Sequence, residues 1–406
     1  MTGKELYKEA ENVQGELVEY RRFLHAHAET GFALKKTVRF VKANLEKMGY
    51  APVACGKACI VACVGNGSGE RENTKKAFLL RADMDGLPIV EKSGVSFACK
   101  TGNMHACGHD MHAAMLLGAA RLLKAHEREL KGTVKLLFQP AEETLEGAKA
   151  AIAAGVLKDP DVGGATTLHV MTASEMKSGT LVVFSKGVSA PAADYFTITV
   201  KGKGCHGSTP HNGVDALTAA AHILVALQEI AARELSVSDD CVLTVGTAQG
   251  GTAPNVIPDL VKMQGTLRAY TEQARARLKK RLSEICVAVA KAFRARAKVT
   301  FDSGCPTLVN DERLSLLAEN VARETLGVDR VLTTAEMGGG NARGGGSEDF
   351  AYISHQTPSV ALALAAGERE KGFEYPLHHP KVRFDESVLP IGSAVLAAMA
   401  FRFFEK

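Results

Sequence analysis

Cys107, His109, Asp110 and His112 fall within the segment MHACGHDMH (104–112), directly ahead of a long apolar stretch. Thiolate, imidazole and carboxylate at this density form a transition-metal ligand set. More polar groups of the same kind close apolar runs elsewhere. AFLLRADMD ends in Asp83 and Asp85, TVKLLFQPAEE in Glu142 and Glu143, and GATTLHV carries His169 near its end. YPLHHPKV adds the tandem His378 and His379. Glu142 and Glu143 are neighbours, and on irregular backbone neighbouring side chains point different ways. One can bind a metal while the other faces water as a general base. Plainer readings exist for each piece: a capped helix start with one buried Cys, a surface charge pair, a solvated loop. Together they weaken, because burying this many polar groups without partners is costly.

The elements that would position these groups alternate. Residues 4–26 and 35–48 read as amphipathic helices. Cys59–Val64, Ala77–Ala82, Thr133–Phe138 and Ala165–Leu168 read as strands, with helices over His109–His126 and Glu146–Ala154 between them. Strands alternating with helices predict parallel pairing in a layered α/β fold. Ligands of such sheets bind beyond the carboxyl ends of the strands, where three strands here deliver carboxylate, carboxylate and imidazole. Near Ala190 the texture changes to strand, long helix, two strands, basic helix and closing strand. That βαββαβ order is the split ferredoxin-like unit. It predicts an inserted domain over 190–305 in a catalytic domain made of 1–189 plus 306–406, with hinges near 187–193 and 303–307. The insert carries His206 in GKGCHGSTPH, Asn255 in TAPNVIPD and Arg268 in GTLR. Arg can clamp a carboxylate at two points, whereas His206 and His211 taken alone read as exposed loop residues.

Composition narrows the classes. Of 406 residues, 46% are apolar and 23% charged, enough apolar surface for a folded core. Lys+Arg 49 against Asp+Glu 45 leaves +4, too small an excess for a nucleic-acid or membrane-surface binder. No apolar run reads as a membrane span, and the N-terminal stretch is charged throughout, so a cytoplasmic protein is the expectation. Nine cysteines, an odd number, predict reduced thiols rather than a disulfide framework. Cys55, Cys59 and Cys63 read as a turn and a buried strand rather than a metal site. The Gly-rich MGGGNARGGGS (337–347) lacks the Gly-Lys-Ser/Thr ending of a phosphate loop, which speaks against nucleotide binding. It reads as a mobile loop near the pocket that could offer Arg343 to an acidic substrate.

RRFLHAHAE, LLRADMDGLPI, MHACGHDMHAAMLLGAA, LLFQPAEE, GKGCHGSTPH, TAPNVIPD, GTLR, SEDF and PLHHP occur in this order between Arg21 and Pro380. In them the chain resembles the metal-dependent amidohydrolase family of aminoacylases, hippurate hydrolases and auxin-conjugate (IAA-amino acid) hydrolases, the aminoacylase/carboxypeptidase metallopeptidases. The resemblance implies a zinc-peptidase-like α/β/α catalytic domain with an inserted lid and dimerisation domain. It implies two divalent ions per subunit, Zn²⁺ or Mn²⁺, with Co²⁺ and Ni²⁺ also suited to the ligands. Cys107 would bridge them, Glu143 and His378 would complete one ion, and His109 and His169 the other. His378 rather than His379 is the ligand, Asp83 stands behind a ligand, and Glu142 is the general base that activates the bridging water. His206 would reach the active site of a partner subunit in a homodimer and, with metal, stabilise the oxyanion, while Asn255 and Arg268 hold the substrate carboxylate. The substrate would be an N-acetyl, N-benzoyl or aminobenzoyl amino acid, cleaved to a carboxylic acid and a free amino acid.

Three departures stand out. The usual His-x-x-Pro-Glu reads His25-Ala26-His27-Ala28-Glu29, Cys205 replaces a Gly before His206, and segment 337–347 is expanded. Two rival readings compete. One is a metal-independent hydrolase with Cys107 as nucleophile and a His base, which would survive chelation. The other is a non-catalytic binding protein that keeps the fold, and the complete set of ligand and base positions argues against it.

Overall fold

The computed structural model describes residues 1–65, 77–236, 239–338 and 345–405. The chain divides into two compact units, one built from Met1–Ser189 and most of the chain from Val309 on, the other centred on Ala190–Leu308.

Four apolar strands form the middle of the first unit's sheet. Val134–Gln139, Ala77–Asp83, Val162–Met171 and Ser359–Ala365 lie side by side and run parallel. Ala77–Asp83 and Ser359–Ala365 are buried at every position, as strands covered on both faces must be. The flanks depart from the parallel expectation. Ile60–Val64 pairs antiparallel with Val134–Gln139, and Leu181–Val183 antiparallel with Ser359–Ala365, so the eight-stranded sheet is mixed. Strand direction leaves no mark in composition. Cys55 and Cys59 are buried, but Cys63 faces solvent on its edge-side strand, against the core reading of all three.

Helix His109–Ala125 packs against helix Leu389–Phe403 through small residues. A Cβ on Gly392 would lie 2.0 Å from Met115 Sδ, and one on Gly118 2.2 Å from Ser393 Oγ, so both glycines permit a close approach that any side chain would block. The N-terminal helix expected over 4–26 is two, Gly3–Asn12 and Gln14–Ala26. Thr2 and Glu5 form a capping box on the first. Two helical stretches, Ala216–Glu234 and Glu386–Phe403, reach the length and mean hydropathy of a membrane span, so the sequence expectation of none was too strict. Glu386–Phe403 has 78% of its window buried inside the first unit, which makes it a core helix.

The second unit is a four-stranded antiparallel sheet in the order Cys241–Gly250, Leu260–Ala269, Ala192–Lys201, Arg296–Cys305. This is the split ferredoxin-like order of second, third, first and fourth strand. Helices Ala216–Ala226 and Glu272–Ala292 cover one face and enclose a core of Phe196, Ile198, Leu267, Leu278 and Leu282. Buried Asp194 is held by Arg275 (2.7 and 3.0 Å) and Lys279 (2.7 Å), which tie strand to helix.

Candidate metal centre

Strand Ala77–Asp83 ends in Asp83, and Asp85 follows two residues later. The Asp85 carboxylate accepts from the backbone N–H groups of Glu142 (3.0 Å) and Glu143 (3.3 Å), which fixes the turn that carries both glutamates. That turn is sharp. Ala141 and Leu145 have φ of 56° and 59°, and a Cβ on Gly147 would lie 1.7 Å from the Pro140 carbonyl oxygen. Such backbone concentrates at functional sites. Gly108, at φ 86°, opens helix His109–Ala125, where a Cβ would strike Val170 Cγ2 at 2.4 Å. The tight fit sets Cys107 and His109 against the strand that carries His169.

Hydrogen bonds turn the imidazoles inward. His109 Nδ1 donates to the Asp85 carbonyl at 2.8 Å, and His169 Nδ1 to the Val170 carbonyl at 2.6 Å, so Nε2 is the atom each ring would offer to a metal. Cys107 Sγ lies 3.5 Å from His169 Nε2 and 3.3 Å from His378 Nε2. Glu143 Oε1 is 3.6 Å from His378 Nε2 and 3.9 Å from His109 Nε2, and Glu142 Oε2 is also 3.9 Å from His109 Nε2. Two of the donor groups share Cys107, which stands with His109 and His169 in one and with Glu143 and His378 in the other, while His109 also groups with Glu142 and Glu143 and with Asp83 and His112, and Glu142 with Glu348 and Asp349. His378 adopts φ 64° to reach in, whereas His379 stacks on Tyr375 at 4.4 Å and accepts from Lys381 N.

The residues fit divalent cations. His109 Nε2 and Glu143 Oε1 are buried and have no hydrogen-bond partner among the described residues. Both face one space beside a thiol, where a cation would satisfy them; against the burial penalty, Asp83 and Cys107 hold the His109 imidazole well above its ordinary pKa, so a bound ion would take the place of its proton. The charges agree. Burial pushes the Cys107 thiol far up and, with His112 and His109 nearby, pushes the His169 imidazole down to about 3. Burial, with Asp85 and Asp83 adding to it, raises Glu143 to about 7. A bound cation would reverse the first and third of these. Against the burial penalty, His109, Arg81 and His112 hold the Asp83 carboxyl well below the carboxylate range. Asp83 Oδ1 accepts from His112 Nδ1 (2.6 Å), and His112 Nε2 accepts from Val170 N (2.8 Å), which anchors the backbone next to His169. Asp83 thus supports the cluster through His112, as metal sites commonly arrange.

Sequence reasoning assigned no role to the three buried residues behind the glutamates, Arg81, Gln139 and Asp349, or to the turn they brace. A signal was present. Arg81 sits in the middle of an apolar strand and is 1% exposed, and a buried Arg needs carboxylate partners. Arg343 and most of 337–347 lie outside the described residues.

In the second unit, His206 and the backbone of Asn255 come together. His206 pairs with Val256 across a two-strand ladder, and Gly207 N donates to the Asn255 carbonyl at 2.7 Å. Ser208 N donates to His206 Nδ1 at 3.1 Å, which leaves the proton of the neutral ring on Nε2 of an exposed side chain. His211 is exposed as well. Arg268 is elsewhere. Gly202, close in sequence to His206, bonds to Asp259, next to the start of strand Leu260–Ala269, whereas Arg268 stands near the other end of that strand. At about 3.3 Å per residue the separation along the strand is about 26 Å. Arg268 and the His206–Val256 ladder thus stand toward opposite ends of this strand.

Comparison with known proteins matches residues 79–402 to peptidase family M20/M25/M40. The N-acetyl-L-cysteine deacetylase of Bacillus subtilis (strain 168) is 35% identical over 399 residues, 97% of this chain and 89% of that protein. The IAA-amino acid hydrolase ILR1-like 4 of Arabidopsis thaliana is 35% identical over 395 residues, 95% of this chain and 85% of that protein. Among solved structures, a putative aminohydrolase from methicillin-resistant Staphylococcus aureus superposes with a TM-score of 0.88 at 30% identity, covering 100% of both chains. The Bacillus subtilis YXEP protein, described as a dinuclear metal binding peptidase, gives 0.77 at 29% identity, covering 97% of this chain and 99% of that one. The match extends over most of the chain and includes the whole donor cluster. The chain belongs to peptidase family M20/M25/M40 and is a metal-dependent amidohydrolase.

Proposed function

We propose that this chain hydrolyses the amide bond of an N-acyl amino acid at a centre of two divalent ions, releasing a carboxylic acid and a free amino acid. The observation that carries the reading is the pair of donor groups sharing Cys107, with Glu142 beside them and outside both. Cys107, His109 and His169 would hold one ion, and Cys107, Glu143 and His378 the other. Thiolate and imidazole suit Zn²⁺, Co²⁺ and Ni²⁺, and the Glu143 carboxylate also suits Mn²⁺. When bound, the ions supply Lewis acidity, which makes water a nucleophile near neutral pH. The rest falls to the protein. Glu142, held by its backbone to Asp85, takes a proton from the attacking water and returns it to the departing amine nitrogen. His206, with its proton on Nε2, donates to the developing oxyanion. Arg268 clamps the amino-acid carboxylate. The names of the two relatives above support N-acetyl and auxin-type acyl groups as the class to try first. The direct test is release of free amino acid from N-acetyl, N-benzoyl, N-aminobenzoyl and IAA-conjugated amino acids. Cleavage within this panel is expected, and cleavage only of unacylated peptides would sink the proposal.

We also propose a homodimer through the second unit. Its edge strand Cys241–Gly250 is largely exposed, and helix Ala216–Ala226 presents Leu217, Leu224 and Val225 at 49%, 37% and 73% exposure. An open edge beside exposed apolar side chains is what a self-complementary interface covers. The distance between Arg268 and Asn255 supports pockets built from two subunits, with Arg268 from one and His206 with Asn255 from its partner. Mixing inactive His206→Ala and Glu142→Ala proteins under exchanging conditions tests this. Random reassortment makes half of the dimers hybrid, each with one competent site, so about one quarter of wild-type activity should return. No recovery, with hybrids shown by mass, excludes the shared site.

A further inference from the structure

Behind Glu142 lies a buried network that neither the ligand set nor the base explains. Asp349 is fully buried, and its carboxylate is held from three sides: by Arg81 Nη2 at 2.9 Å, Gln139 Nε2 at 2.7 Å and the Ala148 backbone N–H at 2.8 Å. Its own backbone N–H donates to Glu142 Oε1 at 3.4 Å. Arg81 continues the chain of contacts, with Nε on Gln139 Oε1 at 3.0 Å and Nη1 on Asp83 Oδ2 at 2.7 Å. The contacts reach from the SEDF segment to the turn after strand Val134–Gln139 and to the carboxylate that orients His112.

The physical sense is directional. A carboxylate that receives three donors in a dry site cannot rotate or shift without leaving one of them unsatisfied. The backbone of residue 349 is therefore fixed relative to Ala148 on one side of the glutamate turn and Gln139 on the other. A backbone N–H fixed in this way holds Glu142 Oε1, and Oε2 is left on the side of His109. A glutamate not held in this way samples several rotamers, and each costs time spent out of reach of the water it must deprotonate.

We infer that Asp349 is a positioning residue for Glu142: Arg81, Gln139 and Ala148 lock its carboxylate, so that its backbone N–H pins one oxygen of Glu142 and presents the other to the reacting water. This rests on the reading of Glu142 as general base. The test is Asp349→Asn, which keeps the shape but turns an NH₂ group toward at least one of the three donors. In the metal-loaded enzyme kcat should fall about 10- to 100-fold, with KM within about twofold and metal content equal to wild type. A purely structural role would lower the melting temperature and leave kcat of the folded fraction unchanged, which overturns the inference. Crystal structures of the two proteins give a second readout. A displaced Glu142 carboxylate, with Cys107, His109 and His169 unmoved, supports the inference, and an unmoved Glu142 overturns it. Should the wild type cleave no member of the acyl-amino-acid panel, the reading of the reaction fails, and the position of Glu142 in the two structures still decides this one. If Asp349→Asn does not fold, Gln139→Ala removes one of the three donors, and about a fivefold loss confined to kcat is expected. No loss there overturns the inference.

Discussion

Glu142→Ala should lower kcat by about 10²- to 10⁴-fold while the protein keeps its full complement of metal. Glu142 lies outside both donor groups that share Cys107, and its Oε2 is 3.9 Å from His109 Nε2. Its backbone is tied to Asp85 at 3.0 Å, so removing the side chain leaves the turn in place. What is lost is the proton acceptor. Glu142 and Glu143 are equally distant from His109 Nε2, and the choice between them rests on Glu143 also reaching His378 at 3.6 Å. The outcome is therefore informative in both directions. Elemental analysis of the purified variant decides it: an inactive protein with normal metal content fits the assignment, and loss of metal means that Glu142 is the ligand and Glu143 the base.

Cys107→Ala is expected to have an equally large effect for a different reason. Cys107 is common to the two donor groups, so its removal takes a ligand from both positions at once. Each is left with an incomplete set, His109 and His169 at one and Glu143 and His378 at the other. Metal content should fall below one ion per subunit under conditions that saturate the wild type, and activity should fall with it. Stability should follow. A ligand at 100 times its dissociation constant stabilises the folded state by about 2.7 kcal/mol, and the variant should lose most of the rise in melting temperature that metal gives the wild type. A metal-independent Cys107 nucleophile predicts the same loss of activity with no change in metal content from wild type, so metal analysis separates the two accounts.

The parts of this site that were legible in the sequence are those where local pattern and chemistry coincide. The apolar runs that precede Asp83, Glu142 and His169 are strands buried along most of their length, and the polar groups of the site cluster where each run leaves the core. Cys107 and His109 stand at a helix start marked by Gly108. The ferredoxin-like order was legible for the same reason, since its strands and helices are long and strongly periodic. Three things were hidden. Short strands such as Leu181–Val183 and Val331–Thr333 offer too few residues for a period to register. The break between Asn12 and Gln14 has no Pro or Gly to announce it before the chain turns. Asp349 lies 207 residues from Glu142, and no local pattern carries a contact of that range. Arg81 was the visible half of that network, a charge inside an apolar strand whose partners only folding could name.

The most direct test of the account is stepwise return of Mn²⁺, Zn²⁺, Co²⁺ or Ni²⁺ to metal-stripped protein, assayed by amino-acid release from the best acyl-amino-acid substrate. The account predicts no turnover in the stripped protein and activity that rises to a plateau as the second ion per subunit is bound. Full activity in the stripped protein, or a plateau reached with one ion, would contradict it.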